Sequence, residues 1–200
     1  ITSTTSVNAT AGFSIVSYSA QASGTGTVGH GLGVAPSMII VKRRGGVSSW
    51  IVYTNTTGNT KYLKLNDTIA ATVDSGYWNN TSPTSSVFTL GANFAGDGST
   101  IAYCFAEIAG FSKFGSWTGN ASTDGPFVYC GFRPKFILFK NSTTAGTVWI
   151  IFDTARNTYN FVDAQLRPNA TDAENSAGSS YSMDILSNGF KIRSSDSNFN

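Results

Sequence analysis

An internal repeat constrains this chain more than any other feature of its sequence. A tryptophan followed by an apolar run occurs at Trp50 and again at Trp149, 99 residues later. Matching segments in register over such a span predict a duplicated domain, with one residue inserted before the second tryptophan. The other recurring segments lie 98 residues apart: Gly12-Phe13-Ser14 with Gly110-Phe111-Ser112, and Pro36–Lys42 with Pro134–Lys140.

The residue pattern predicts an all-β fold for both repeats. Charged residues make up 12% of the chain, about half the average for soluble domains. Short apolar or alternating runs are separated by Gly, Pro, Asn and Ser roughly every 8–12 residues, as in sandwiches and barrels. We therefore predict two tandem β-sandwich domains, residues 12–109 and 110–200. Residues 1–11 are rich in Ser and Thr, which is typical of a linker or arm.

The second repeat ends differently from the first. The first repeat closes with the strand-like run Thr100–Glu107, and the second reaches Asn200 before any equivalent run. A sandwich without its last strand exposes an unpaired sheet edge. We expect the chain to continue beyond Asn200; a strand from another chain or from the N-terminal arm is the alternative.

Charge and cysteine content exclude several classes of partner. The net charge is +2, and Lys42-Arg43-Arg44 stands next to glycines with no wider basic stripe. This pattern favours a solvated hairpin tip over a nucleic-acid site. No apolar stretch is long enough to span a membrane, so no membrane partner is predicted. Cys104 and Cys130 both lie in apolar runs, which favours thiols acting as small hydrophobes, with a disulfide as the alternative.

Catalytic chemistry has few candidate residues. His30 is the one histidine and lies in a Gly-rich turn, without a motif that would seat a nucleophilic serine. The two glutamates, Glu107 and Glu174, fall in different repeats, whereas glycoside hydrolysis needs two facing carboxylates. There is no His/Cys cluster, P-loop or dinucleotide fingerprint. We predict no catalytic residue, no metal site and no cofactor.

Glycan binding is the function that the residue types favour. Exposed aromatic rings stack on sugar rings, and neighbouring amides and carboxylates bind hydroxyl groups. Tyr77 and Trp78 are the candidates, since they stand beside Asn79 and Asn80 in a polar stretch between predicted strands. Because most tryptophans are largely buried, burial of Trp78 under a loop is the alternative.

Four motifs occur in order along the chain: His30–Pro36 with Ile39–Lys42, Ile101–Glu107 leading into Gly110–Gly115, Asp124–Pro134, and Asp153–Asn157. Their order resembles that of a family of tailed-bacteriophage virion proteins. The resemblance implies a non-enzymatic virion module of lectin-like jelly-roll architecture, without assigned binding residues. Fibres of this kind are usually homotrimers that assemble with other virion proteins.

Three functional hypotheses follow. The leading one is a bacteriophage virion structural protein, part of a fibre or appendage, which acts in assembly and in adsorption to a host-surface glycan. The second is a secreted carbohydrate-binding module of a cellular protein. The third is a polysaccharide depolymerase, which the shortage of paired carboxylates disfavours.

Overall fold

The computed structural model describes residues 1–96, 98–176 and 178–200. Nearly all of its regular structure is antiparallel β, which confirms the predicted all-β class. Its helical segments are α1 (Ser75–Trp78) and two 3-10 turns, Ala92–Phe94 and Gly178–Ser180. The strands are β1 (Ser3–Asn8), β2 (Phe13–Ser19), β3 (Gly26–Gly29), β4 (Met38–Arg43), β5 (Ile51–Thr54), β6 (Lys61–Lys64), β7 (Thr72–Val73), β8 (Val87–Leu90), β9 (Ser99–Phe105), β10 (Phe127–Tyr129), β11 (Phe136–Lys140), β12 (Trp149–Asp153), β13 (Ala164–Gln165), β14 (Asn175–Ser176), β15 (Met183–Leu186) and β16 (Gly189–Ile192).

The chain divides into two compact units. The first contains residues 1–65 and 71–115, and the second contains residues 66–70 and 116–200. The change of unit after residue 115 lies six residues beyond the boundary at 109 that the repeat suggests. In the described residues, no helix is long and apolar enough to cross a membrane.

Two sheets enclose the core of the first unit. The larger sheet has the order β1-β2-β9-β4-β5-β6-β7, and β3 pairs with β8 to form the smaller sheet. Strand β2 alternates between buried and half-buried residues, so Val16 and Tyr18 face the interior. Val28 and Phe88 face it from the smaller sheet and belong to the same apolar cluster. Alternation at a period of two residues thus produces a two-layered core.

Residues 1–11 were predicted as a linker or arm, and this prediction is wrong for most of them. Ser3–Asn8 form β1, which pairs antiparallel with β2 from Ser3 opposite Tyr18 to Asn8 opposite Phe13. The N-terminal amine also donates a hydrogen bond to the Thr27 carbonyl at 2.7 Å. Since backbone hydrogen bonds hold an edge strand, β1 forms without an apolar face.

The described residues of the second unit form three small sheets. Their orders are β10-β16-β15, β11-β12 and β13-β14. Phe139 and Phe152 stack at 6.1 Å between ring centroids, and Trp117 packs against Phe139 at 5.4 Å. The fully buried core members also include Val162, Met183 and Ile192.

One hairpin recurs in both units with the register that the sequence repeat requires. Ile39 lies opposite Tyr53 in the β4–β5 pair, and Ile137 lies opposite Phe152 in the β11–β12 pair. Ile137 follows Ile39 by 98 residues, and Phe152 follows Tyr53 by 99 residues. The inserted residue therefore falls in the connection between the strands and leaves the pairing intact.

A lysine braces each of these hairpin connections. Lys42 Nζ donates to the carbonyl and the hydroxyl of Ser48 at 3.0 and 2.9 Å. Lys140 Nζ donates to the Asn141 carbonyl at 2.8 Å and to the Thr147 hydroxyl. Burial lowers the pKa of Lys140. The two connections differ in length by one residue, and in each of them a lysine ammonium group donates hydrogen bonds to the connecting residues.

Strands β2 and β9 of the first unit have no counterpart in the described part of the second. Strand β2 lies between β1 and β9, and β4 lies between β9 and β5. The repeat predicts that Phe111–Thr118 forms a strand equivalent to β2. This prediction is wrong: apart from a bridge at Ser112, those residues form no strand. Without a neighbour such as β9, their backbone groups have no ladder to join.

Candidate functional site

The structure places Trp78 in the core of the first unit. Asp74 caps helix α1 by accepting a hydrogen bond from the Gly76 amide at 2.8 Å, and this turn directs Trp78 inward. The side chain is 2% exposed and packs edge-on against Tyr53 at 5.6 Å between ring centroids. An indole in this position presents no ring face to solvent, as the burial alternative expects.

Tyr77 also packs on other aromatic side chains. Its ring lies 4.2 Å from that of Tyr62 and 5.5 Å from that of Phe94, and the residue is half-buried. The structure therefore makes Tyr77 and Trp78 part of one aromatic cluster rather than a paired stacking surface. A glycan-binding role for them stays a prediction, without an exposed platform to support it.

His30 is fully buried and fixed by backbone groups. Its Nδ1 atom accepts a hydrogen bond from the Leu32 amide at 3.2 Å. Its Nε2–H group must then donate to the Thr84 carbonyl, 3.1 Å away, so the ring is neutral. Burial lowers the pKa of His30, and the Thr84 carbonyl opposes this effect. Both ring nitrogens are occupied, so neither can serve a substrate as a base.

The carboxylates that sequence analysis considered are held in local ion pairs. Glu107 accepts from Lys113 Nζ at 2.6 Å and from the Phe114 amide at 3.2 Å. Glu174 lies 3.2 Å from Arg156 Nη1. Among the described residues, no group of three or more His, Cys, Asp and Glu side chains could hold a metal ion.

Neither cysteine forms a disulfide, as the favoured interpretation predicts. Cys104 is fully buried in β9, and burial raises the pKa of its thiol to about 12. Cys130 is half-buried, and its Sγ atom lies 3.9 Å from the Val128 carbonyl oxygen. The Cys104 thiol is therefore protonated at neutral pH and serves as a small apolar side chain.

The β10-β16-β15 sheet of the second unit presents a different surface. Alternation places Val128, Phe190 and Ile192 toward the core. The intervening residues, which face outward, are Phe127, Tyr129, Asp184, Leu186, Gly189 and Lys191. We call this outward surface the aromatic-ionic face and include Asp124 and Arg193, whose side chains join it through ion pairs.

Two aromatic rings dominate the aromatic-ionic face. Tyr129 is 65% exposed and Phe127 is 44% exposed, although both lie in a strand. Tyr129 is paired with Gly189, which carries no side chain beside the ring. A Cβ atom added at Gly189 would overlap the Val128 carbonyl oxygen and lie 3.0 Å from Phe127 Cζ. The glycine thus lets β10 approach closely and leaves the Tyr129 ring accessible.

A chain of charged groups runs beside the two rings. Asp124 lies 2.7 Å from Lys191 Nζ and 3.7 Å from Arg193 Nη1. Arg193 Nε donates to Asp184 at 2.6 Å. The hydrogen bond from Lys191, aided by its charge, lowers the pKa of Asp124. A carboxylate held ionised in this way can accept hydrogen bonds from hydroxyl groups but is a poor proton donor at neutral pH.

Sequence reasoning missed the aromatic-ionic face because Phe127-Val128-Tyr129-Cys130 is an apolar run, which indicates core. The available signal was Lys191, a charged residue between the apolar Phe190 and Ile192, which indicates that this position of the strand faces solvent. It is paired with Phe127, so the outward position of one side chain fixes that of the other.

A cleft of about 460 Å³ lies beside β1 in the first unit. Among the described residues, its lining consists of hydroxyl-bearing side chains, Gln21 and Ile1, with no carboxylate or histidine.

These features define an all-β protein of two units, the second of which carries a solvent-facing aromatic and ionic surface. Comparison with known families gives the match: the family described as a domain of unknown function, DUF7483, matches residues 1–200. The chain belongs to this family. No curated protein and no solved structure matches the chain.

Proposed function

We propose that this chain is a structural module of a bacteriophage virion, part of a fibre or similar appendage. Its two units are tandem β-sandwich domains of the lectin-like jelly-roll type. The module acts in particle assembly, and the aromatic-ionic face adsorbs a host-surface glycan. The observation that carries the binding role is the exposure of Tyr129 and Phe127 beside a fixed row of charged groups.

The chemistry of the aromatic-ionic face suits sugars. The Tyr129 and Phe127 rings offer apolar surface for the C–H faces of a pyranose. Asp124 and Asp184 can accept hydrogen bonds from sugar hydroxyls, and Lys191 can donate them. The existing ion pairs hold these groups in place before a ligand arrives, which reduces the entropy lost on binding.

Binding can be tested on an array of bacterial surface polysaccharides with the 200-residue chain. Tyr129→Ala should weaken binding about tenfold, since ring stacking contributes about 0.5–1.5 kcal/mol in addition to the apolar area that the ring buries. Tyr159→Ala is a matched control, because Tyr159 is 85% exposed and lies outside the face. Equal binding by the two variants, or no binding by the parent chain, would refute the adsorption role.

The virion role has a separate test. Antibodies against this chain should label a projecting appendage when phage particles that contain it are viewed by electron microscopy. Labelling of capsid shells alone would contradict a fibre assignment. Sedimentation equilibrium of the protein should give a homotrimer, as the resemblance to phage fibres implies.

The aromatic-ionic face also suits the second hypothesis, a secreted carbohydrate-binding module of a cellular protein. The two proposals differ in where the protein is found, on a virion or secreted from a cell, and both assign glycan binding to the aromatic-ionic face. Glycan binding that Tyr129→Ala abolishes, together with the absence of the protein from virions, would favour the secreted module.

A further inference from the structure

Strand β11 (Phe136–Lys140) has one open edge. In the described residues its hydrogen-bonded neighbour is β12 alone. The Thr154 amide donates to the Lys135 carbonyl at 3.0 Å on the β12 side. Since successive backbone groups alternate between the two edges, the amides of Phe136 and Leu138 face away from β12. They form a template for one more antiparallel strand.

The first unit contains the corresponding strand. There β4 lies between β5 and β9, and the β4–β9 register sets Ile39 opposite Cys104 and Val41 opposite Ala102. The core-facing residues of β9 are small and fully buried. Small side chains thus fill the space between β9 and the layer beneath it, and this pattern indicates the kind of strand that suits the equivalent edge of β11.

Apolar side chains of β11 are more exposed than the equivalent side chains of β4, which has β9 as a neighbour. Met38 is 8% exposed, and its repeat equivalent Phe136 is 59% exposed. Ile39 is fully buried, whereas the equivalent Ile137 is half-buried. Apolar side chains on both faces of β11 thus lack a neighbouring strand.

We propose that the open edge of β11 binds a separate extended peptide segment, not contained in residues 1–200, with the residue pattern of β9. The segment runs antiparallel to β11 and completes the order β12-β11-added strand, equivalent to β5-β4-β9. Small residues of the added strand face Ile137 and Phe139, as Cys104 and Ala102 face Ile39 and Val41. Phe139 is larger than Val41, which strengthens the requirement for a small residue opposite it. This is strand addition, in which backbone hydrogen bonds provide affinity and alternate side chains provide specificity.

A synthetic peptide with the sequence of residues 98–107, carrying Cys104→Ser, is the probe. Fluorescence anisotropy should show saturable binding of the labelled peptide to the 200-residue protein. Hydrogen exchange by NMR should show the amides of Phe136 and Leu138 slowed by at least about tenfold on binding. The β4 edge does not compete, because β9 already occupies it.

Two N-methylated peptides are matched controls. In β9 the Ala106 amide donates to Gly12 of the neighbouring segment, so even-numbered amides face β2 and odd-numbered amides face β4. A methyl group on the amide at position 103 should weaken binding about tenfold, and one at position 104 less than about twofold.

Equal binding of the two methylated peptides, or unchanged exchange at Phe136 and Leu138, would overturn the proposal. So would a protein that dimerises without peptide and protects the same two amides, because the occupant would then be a second copy of this chain.

Discussion

His30 donates its Nε2–H group to the carbonyl oxygen of Thr84, 3.1 Å away, within a fully buried site. Burial lowers the pKa of His30 below its ordinary value of 6.5. Just below pH 6.5, His30 is therefore protonated in the unfolded chain and still neutral in the folded chain. Stability should therefore be constant above about pH 6.5 and fall as the pH drops below it. Urea midpoints measured between about pH 5 and pH 8 should show this slope.

The control for the pH effect is His30→Gln. The chain has no other histidine, so this variant should lose the slope near pH 6 even if its overall stability is lower. Asp124 and Asp153 also have lowered pKa values, but as carboxylates they affect stability at more acidic pH. A parent protein that becomes more stable as the pH falls from 7 to about 5 would contradict the buried neutral ring.

Trp78→Ala should destabilise the protein by about 3–5 kcal/mol, since it leaves a large cavity among buried aromatic rings. Trp78→Phe should lower the free energy of unfolding by less than the lost side-chain volume alone suggests. The Trp78 Nε1–H group has no hydrogen-bond partner among the described residues, and phenylalanine removes that unpaired donor. Urea unfolding measures both variants. A change below about 1 kcal/mol for Trp78→Ala would show that the indole is not in the core.

Gly189→Ala should lower the free energy of unfolding by about 1–3 kcal/mol, because the added methyl group overlaps the backbone carbonyl of Val128 across the β10–β16 pair. The carbonyl belongs to the ladder and cannot move without breaking strand pairing. Gly45→Ala is the matched control, since nothing lies within 4 Å of an added Cβ there. It should change the free energy of unfolding by about 0.5 kcal/mol or less. Similar effects of the two substitutions would contradict the close approach of β10 to β16.

Iodoacetamide should alkylate Cys130 well before Cys104 in the native protein. The Cys104 thiol is fully buried and has a pKa of about 12, so the reactive thiolate is scarce and shielded. Peptide mass spectrometry over a time course separates the two sites. In urea both should react at similar rates, which controls for local sequence. Equal rates in the folded protein would show that β9 opens readily.

The sequence predicted the central hairpins well. The apolar runs that follow Pro36 and Pro134 indicate strands, and Pro fixes where each strand can begin. The β4–β5 and β11–β12 pairs lie where these patterns placed them. The repeat carried further information, because offsets of 98 residues for β4 and β11 and of 99 for β5 and β12 indicate that the two pairs share one register.

Strand β1 could not be predicted in this way. Its residues are mostly exposed and include Ser3, Thr4, Thr5 and Ser6, so no apolar alternation marks it. An edge strand with both faces near solvent is held by the ladder of its neighbour β2. That information lies in the pairing of distant segments and not in the local residue pattern.

The candidate site was harder to predict for the same reason. Tyr77 and Trp78 have polar neighbours in sequence, but the Asp74 cap turns them into the core. Phe127 and Tyr129 have apolar neighbours, but the pairing of β10 with β16 turns them outward. For an aromatic side chain, exposure depends on which face of an element is covered, and sequence neighbours do not determine that.

The brace that Lys42 and Lys140 give to their hairpin connections has a practical consequence. Each lysine ties its loop at a fixed point, and the stretch beyond that point differs by one residue between the repeats without disturbing either ladder. The Gly45-Gly46 tip of the first hairpin, where Val47 is fully exposed, is therefore a natural place to graft an epitope or a fluorophore. A label attached at this exposed tip would lie outside the core of the first unit and should leave its packing unchanged.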